Sequence, residues 1–241
     1  MPLQQGSNLM RISTAEISSY IKCPIFYLEG YRVEPQERKV VDSLRRAVQY
    51  LYSHHMANNE ICNFNALIKR WNQIWWGKQR PEDDDSMKLS NEAYVVIDKY
   101  YNIYLDREYE GAYTNWPYAI EMGSHIITGV WPVVLTTDEG TELYYPLVQK
   151  GPMSVIRDVV VKADIVAMDL ATGKVPHKVT FSQYFPERDE RVLMSEFFPK
   201  PGWLERTYET LMTLITAIEK EFIWGNCHAC RGCPLRNRCT G

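Results

Sequence analysis

The sequence predicts an α+β or α/β protein, with helices arranged around a small mixed sheet. Three observations carry that expectation. Apolar residues recur at helical spacing through the N-terminal part, β-branched and aromatic runs broken by turn residues take over near residue 117, and an amphipathic stretch from Trp203 restores the helical period.

Each element has its own signal. Residues 11–30, RISTAEISSYIKCPIFYLEG, hold a short helix entered through Ser13 or Thr14 as N-cap. Residues 40–56 place Val41, Leu44, Val48 and Leu51 on one helical face. NFNALIKRWNQIWWGKQR does the same with Phe64, Leu67, Ile68, Trp71, Ile74 and Trp75. The acidic run Asp83–Asp85 opens a long helix over residues 85–109, where carboxylates suit the positive end of the helix dipole. From residue 118 to 150 the pattern reads as two or three antiparallel strands, with TTDEGTE as a hairpin turn. Residues 153–171 read two ways. Val155, Ile156, Val159, Val160, Ala163, Val166, Ala167 and Leu170 fit a helix face, while the β-branched richness of VVVKADIVAM suits a strand. VPHKVTFSQYF is a further strand, FPKPGW a loop, and WLERTYETLMTLITAIEKEFI a final helix. With no internal repeat or low-complexity tract, residues 1–241 read as a single domain. It has a helical part over 1–115, a sheet core with helices over 116–222 and a cysteine-rich tail over 223–241.

Composition narrows the functional classes. Hydrophobic residues at 45% and charged residues at 24% argue against wholesale disorder. A formal charge of −3 argues against coating nucleic acid by bulk attraction and leaves only a local basic patch for that purpose. The seven Trp and sixteen Tyr are expected to build the core. No stretch approaches the roughly 18 uncharged apolar residues of a membrane span, and the N-terminus lacks an apolar signal-peptide core. The expectation is a cytoplasmic protein without a membrane partner. In a reducing compartment, clustered cysteines point to metal or cluster ligands rather than disulfides.

Four of the six cysteines fall in the tail CHACRGCPLRNRCTG, where Cys227, Cys230, Cys233 and Cys239 are spaced x2, x2, x5. All four together suit a closed tetrahedral Zn2+ site. Three of them with one distant cysteine suit an iron–sulfur cluster, which also takes four thiolates. Cys62, in NNEICNFN, has no supporting pattern and reads as a structural thiol. His54, His55 and His125 have no metal-like partners at useful spacing.

Cys23 stands in a different setting. The pattern I-x-x-Y-x-x-C-P-x-F-Y-L, here Ile17 to Leu28, resembles the RecB-like nucleases that carry an iron–sulfur staple, among them the AddB helicase–nuclease subunit and the CRISPR-adaptation exonucleases. The other end of the chain is similar too, because Cys230, Cys233 followed by Pro234, and Cys239 match the C-x2-C-x5-C half of that staple. The resemblance implies a [4Fe–4S] cluster held by Cys23, Cys230, Cys233 and Cys239, with Cys227 surplus or a substitute. Such a staple closes a loop of about 200 residues and stabilises by restricting the unfolded chain. Small, strongly diverged members of this superfamily resemble virus and mobile-element proteins.

The resemblance also implies a PD-(D/E)XK, restriction-endonuclease-like core. There an Asp and an Asp or Glu on a bent hairpin bind Mg2+ or Mn2+, and a Lys two positions later orients the attacking water. A His on an early helix and a Q-x-x-x-Y helix complete the set. Carried over position by position, the chemistry is missing. Gln49 stands at the His position, Pro132 at the first acid, and Leu147 and Gln149 at the second acid and the lysine, and no Q-x-x-x-Y follows. In an alternative register Asp164 is the first metal ligand and Lys178 the lysine, with Pro176 or His177 at the second acid and Glu121 as a further ligand.

The expected function is therefore a catalytically inactive nuclease-fold protein. It would act as an accessory factor in replication, recombination, transcription or defence, binding DNA, a protein partner or both. Arg231, Arg236 and Arg238, interleaved with the tail cysteines, form its candidate phosphate-binding knob. The alternatives are an active Mg2+- or Mn2+-dependent nuclease using Asp164 and Lys178, and a zinc-binding interaction module.

Overall fold

The computed structural model describes residues 9–22, 36–77, 84–146, 158–185 and 191–222. Within them six strands and six helices follow in the order β1 (Met10–Ser13), α1 (Thr14–Lys22), α2 (Gln36–Asn58), α3 (Phe64–Trp76), α4 (Asp84–Leu105), β2 (Gly111–Met122), β3 (His125–Thr137), β4 (Gly140–Tyr145), α5 (Val159–Thr172), β5 (Lys178–Phe185), β6 (Arg191–Phe197) and α6 (Pro201–Glu219). The architecture is a mixed α/β fold on a six-stranded mixed sheet.

Strand β3 is the spine of the sheet. One edge pairs antiparallel with β2 along nearly its whole length. The other edge is shared: β1 runs parallel beside His125–Thr128, and β4 runs antiparallel beside Val134–Thr137. After β4 the chain crosses over through α5, so β5 lies parallel to β4, and β6 returns antiparallel to β5.

Two hydrophobic cores cover the two faces. The first joins α1, α5 and α6 to the sheet through residues such as Ile17, Tyr20, Ile165, Phe181 and Ile215. The second packs α2, α3 and α4 through Leu51, Trp71, Trp75 and Ile97. The long strands switch faces between them. On β2, Tyr118, Ile120 and Met122 belong to the first core but Ala112 to the second. On β3, Ile127 and Trp131 face the first core, after which the alternation slips and Val133 and Leu135 face the second. The slip falls at Asn115, left-handed at φ 50°, and its opposite number Pro132, which form no ladder pair. Proline has no N–H to give the ladder, so pairing is weakest where the sheet must bend.

The structure selects between the alternatives that the sequence left open. α1 is entered through Ser13. The Ser13 hydroxyl accepts from the Glu16 amide at 3.2 Å, and the Glu16 carboxylate reaches back to the Ser13 amide at 2.7 Å, a reciprocal capping box. Ser13→Ala is expected to lower stability by about 1 kcal/mol, read from denaturant midpoints at unchanged slope. The ambiguous 153–171 stretch resolves, over its described part, as helix α5. Asp158 caps its N-terminus by accepting from the Val160 amide at 3.0 Å, and Gly173 closes it at φ 69°. Its β-branched residues cost little because Val161, Ile165 and Val166 are buried. β1 and β6 were not expected. MRIS is too short to show a period, and RVLMSEF places apolar residues on both faces.

Candidate functional site

Two of the positions that the resemblance assigns to catalysis, Gln49 and Pro132, meet in space. Gln49, buried on α2, donates from Nε2 to the Pro132 carbonyl on β3 at 3.0 Å, across 83 residues of sequence. Pro132 lies where β3 passes from β1 to β4 and where β2 gives it no partner, so the amide serves a carbonyl that the ladder leaves over. Chemically the pair is a neutral amide on a neutral carbonyl, with no anionic oxygen to hold a hard cation. Gly129, three residues before Pro132, is required by close approach: a Cβ there would fall 2.3 Å from the Tyr118 hydroxyl, whose ring lies across it. Leu147 and Gln149 lie outside the described residues.

Asp164 is 1% exposed on α5. Its two carboxylate oxygens accept from the Tyr118 hydroxyl at 2.6 Å and the Tyr145 hydroxyl at 2.7 Å, and its carbonyl accepts from Trp131 Nε1 at 2.9 Å. Burial pushes its carboxyl up to about 7, against the pull of the two hydroxyls, with Asp158 adding to the rise. Burial and the Asp164 carboxylate together push the Tyr118 and Tyr145 hydroxyls well above their ordinary range.

Lys178 lies on the other side of the sheet. It pairs with Glu142 at 3.6 Å and with the more exposed Glu196 at 3.3 Å, and Glu142 also holds the Arg107 guanidinium. Arg107 stacks over the Tyr144 ring at 4.2 Å. Tyr144 belongs to the second core and its neighbour Tyr145 to the first, so Asp164 and Lys178 face away from each other across β4. Glu121 alternates with Ile120 and Met122 on β2 and is exposed. The alternative trio Glu121, Asp164 and Lys178 is therefore not brought together. His177 sits at the β4–β5 end, its Nδ1 2.9 Å from the Thr141 carbonyl and its Nε2 3.4 Å from Glu139. Among the described residues no group of three His, Cys, Asp or Glu side chains is placed to hold a metal ion.

The ion-pair cluster of Arg107, Glu142, Lys178 and Glu196 was not legible in the sequence. The one available signal was Glu142, an acid at an inward position between Leu143 and the hairpin turn. Nothing in spacing ties it to Arg107.

Cys23, Cys227, Cys230, Cys233 and Cys239, with Arg231, Arg236 and Arg238, lie outside the described residues. Their flanks are described, and they converge. Ile17 and Tyr20 of the I-x-x-Y pattern are fully buried. The Tyr20 hydroxyl donates to the Ala217 carbonyl at 3.0 Å and also to the carbonyl of Phe222, the last described residue before the tail. Cys62 is buried, and burial raises its thiol to about 11, an inert structural thiol. His55 pairs with the Tyr109 hydroxyl at 2.6 Å near the end of α2, and His125 faces Glu219 at 3.3 Å.

No protein-family model and no curated protein sequence matches the chain. Among solved structures it is similar to SSO0001, at 14% identity over 94% of this chain and 96% of that one, with a TM-score of 0.36. A likeness at that level carries no functional weight.

Proposed function

We propose that the chain is a nuclease-fold protein that has lost metal-dependent cleavage and works as an accessory factor, binding nucleic acid, a protein partner or both. The carrying observation is the Gln49–Pro132 hydrogen bond. The two positions where a His and an Asp would act are adjacent, as an active site needs, yet filled with groups that bind no Mg2+. The order hairpin β3–β4, helix α5, strand β5 supports the PD-(D/E)XK reading.

The convergence of Tyr20 with Phe222 supports the cluster. It draws the approach to Cys23 and the approach to the tail together, as a shared four-thiolate group requires. Cys23, Cys230, Cys233 and Cys239 would hold a [4Fe–4S] cluster, whose contribution is structural, as a crosslink between the chain's two ends.

Incubation with Mg2+ or Mn2+ and single- or double-stranded DNA is expected to give no cleavage. Metal-dependent cleavage that disappears in Asp164→Asn while the variant keeps its fold, read from its thermal melt, would instead establish the active alternative. A gel shift under salt titration separates the partners. A salt-sensitive complex at low ionic strength identifies DNA, and its absence leaves a protein partner.

A further inference from the structure

The chain's formal charge is −3, yet residues 43–80 carry six Lys and Arg against one acid, Glu60. Lys78 and Arg80 lie outside the described residues. The rest of the segment forms most of α2 and all of α3, which pack together over the second core. Its cations turn outward. Arg46 on α2 and Lys69 and Arg70 on α3 are exposed, and among the described residues none of the three forms a salt bridge. Asp42, the nearest acid in sequence to Arg46, is taken by Arg45 at 2.6 Å.

The two helices bring cations to one tyrosine. The Arg70 guanidinium lies over the Tyr50 ring, 5.6 Å from its centroid. Arg46 stands one turn before Tyr50 on α2, and residues four apart on a helix are neighbours. A ring contact, unlike a carboxylate, holds a guanidinium in place and leaves its charge unneutralised. His54, one turn after Tyr50, extends the row with its ring 5.4 Å from that of Tyr50.

We propose that this outer face of α2 and α3 binds the phosphodiester backbone of a nucleic acid. The surface serves the nucleic-acid arm of the proposed function, on which the assignment rests. Charge selects a polyanion, because unpaired cations gathered on one face of a molecule of net negative charge concentrate the attraction there. Chemistry separates nucleic acid from an acidic protein. The exposed positions of α3 are Asn65, Lys69, Arg70 and Gln73, all of which donate hydrogen bonds, and none of the exposed large apolar residues lies on that helix. A phosphate backbone offers acceptors to such a face, whereas a protein partner also needs an apolar centre.

The test is a fluorescence-anisotropy titration of the full chain with labelled single-stranded and duplex DNA of mixed sequence, repeated as salt rises. The parent is expected to bind, more weakly at higher salt. Arg46→Ala and Arg70→Ala are each expected to weaken binding roughly five- to tenfold at low salt and to reduce the slope of log K against log salt by about one. Arg70→Lys, which keeps the charge, is expected to keep the slope. Lys174→Ala removes an equal charge from an exposed site just past α5, on the opposite side of the sheet, and is expected to change neither quantity. Thermal melts of these exposed-site variants are expected to match the parent, so that lost binding is not lost fold. Unchanged binding in Arg46→Ala and Arg70→Ala overturns the assignment but leaves DNA binding in place, and alanine at Arg231, Arg236 and Arg238 then shows whether the tail carries it. A parent that binds no DNA overturns the assignment together with the nucleic-acid arm. Displacement of the DNA by polyglutamate of equal charge overturns it in favour of an acidic protein.

Discussion

Replacing Asp164 with alanine is expected to cost about 2–5 kcal/mol of stability, because two buried tyrosine hydroxyls lose their acceptor at once. Thermal melts of the variant and its parent measure this directly. The milder Asp164→Asn isolates the charge. The native carboxyl holds its proton up to about pH 7, whereas the unfolded chain releases it near the ordinary Asp value of about 3.9. Native Asp164 therefore binds the proton more tightly than the unfolded chain does. Its contribution to stability is complete at acid pH and is lost as pH rises through about 7. Relative to the non-titrating asparagine variant, the parent is expected to weaken by up to about 4 kcal/mol between pH 4 and pH 8. A stability difference that stays flat across that window would mean the carboxyl titrates in its ordinary range.

Cys23→Ser is expected to abolish the iron–sulfur absorbance near roughly 400 nm. On the proposed reading it would also remove the crosslink that closes a loop of about 200 residues, a loss on the order of 4 kcal/mol on the scale of other covalent crosslinks. Cys227→Ser is expected to leave both cluster and stability intact. A zinc site built from the four tail cysteines reverses the pattern: the protein is colourless, Cys23→Ser keeps the metal and Cys227→Ser releases it.

The helices were legible because each shows one apolar stripe over several turns, as Leu67, Trp71, Ile74 and Trp75 do on α3. The hairpin was legible because Asp138 and Glu139 turn the chain between β3 and β4. What escaped was set by tertiary context. β1 is four residues long, and α5 is rich in strand-favouring side chains whose burial overrides propensity. At the candidate site, the pairing of Gln49 with Pro132 followed the positions named by the resemblance, while the burial of Asp164 between two tyrosines did not. Nothing in spacing says that Tyr118, Tyr145 and Asp164 converge, since they come from two strands and a helix that meet only once the sheet has bent.

That bend has a consequence for how the molecule comes apart. β3 contributes side chains to the core beneath α5 and, past Pro132, to the core beneath α2. Neither cluster owns the strand, and neither can release it without exposing the other. Two hydrophobic clusters that would elsewhere behave as separate foldons are thereby joined into one cooperative unit, and probes placed in either core are expected to report a single unfolding transition.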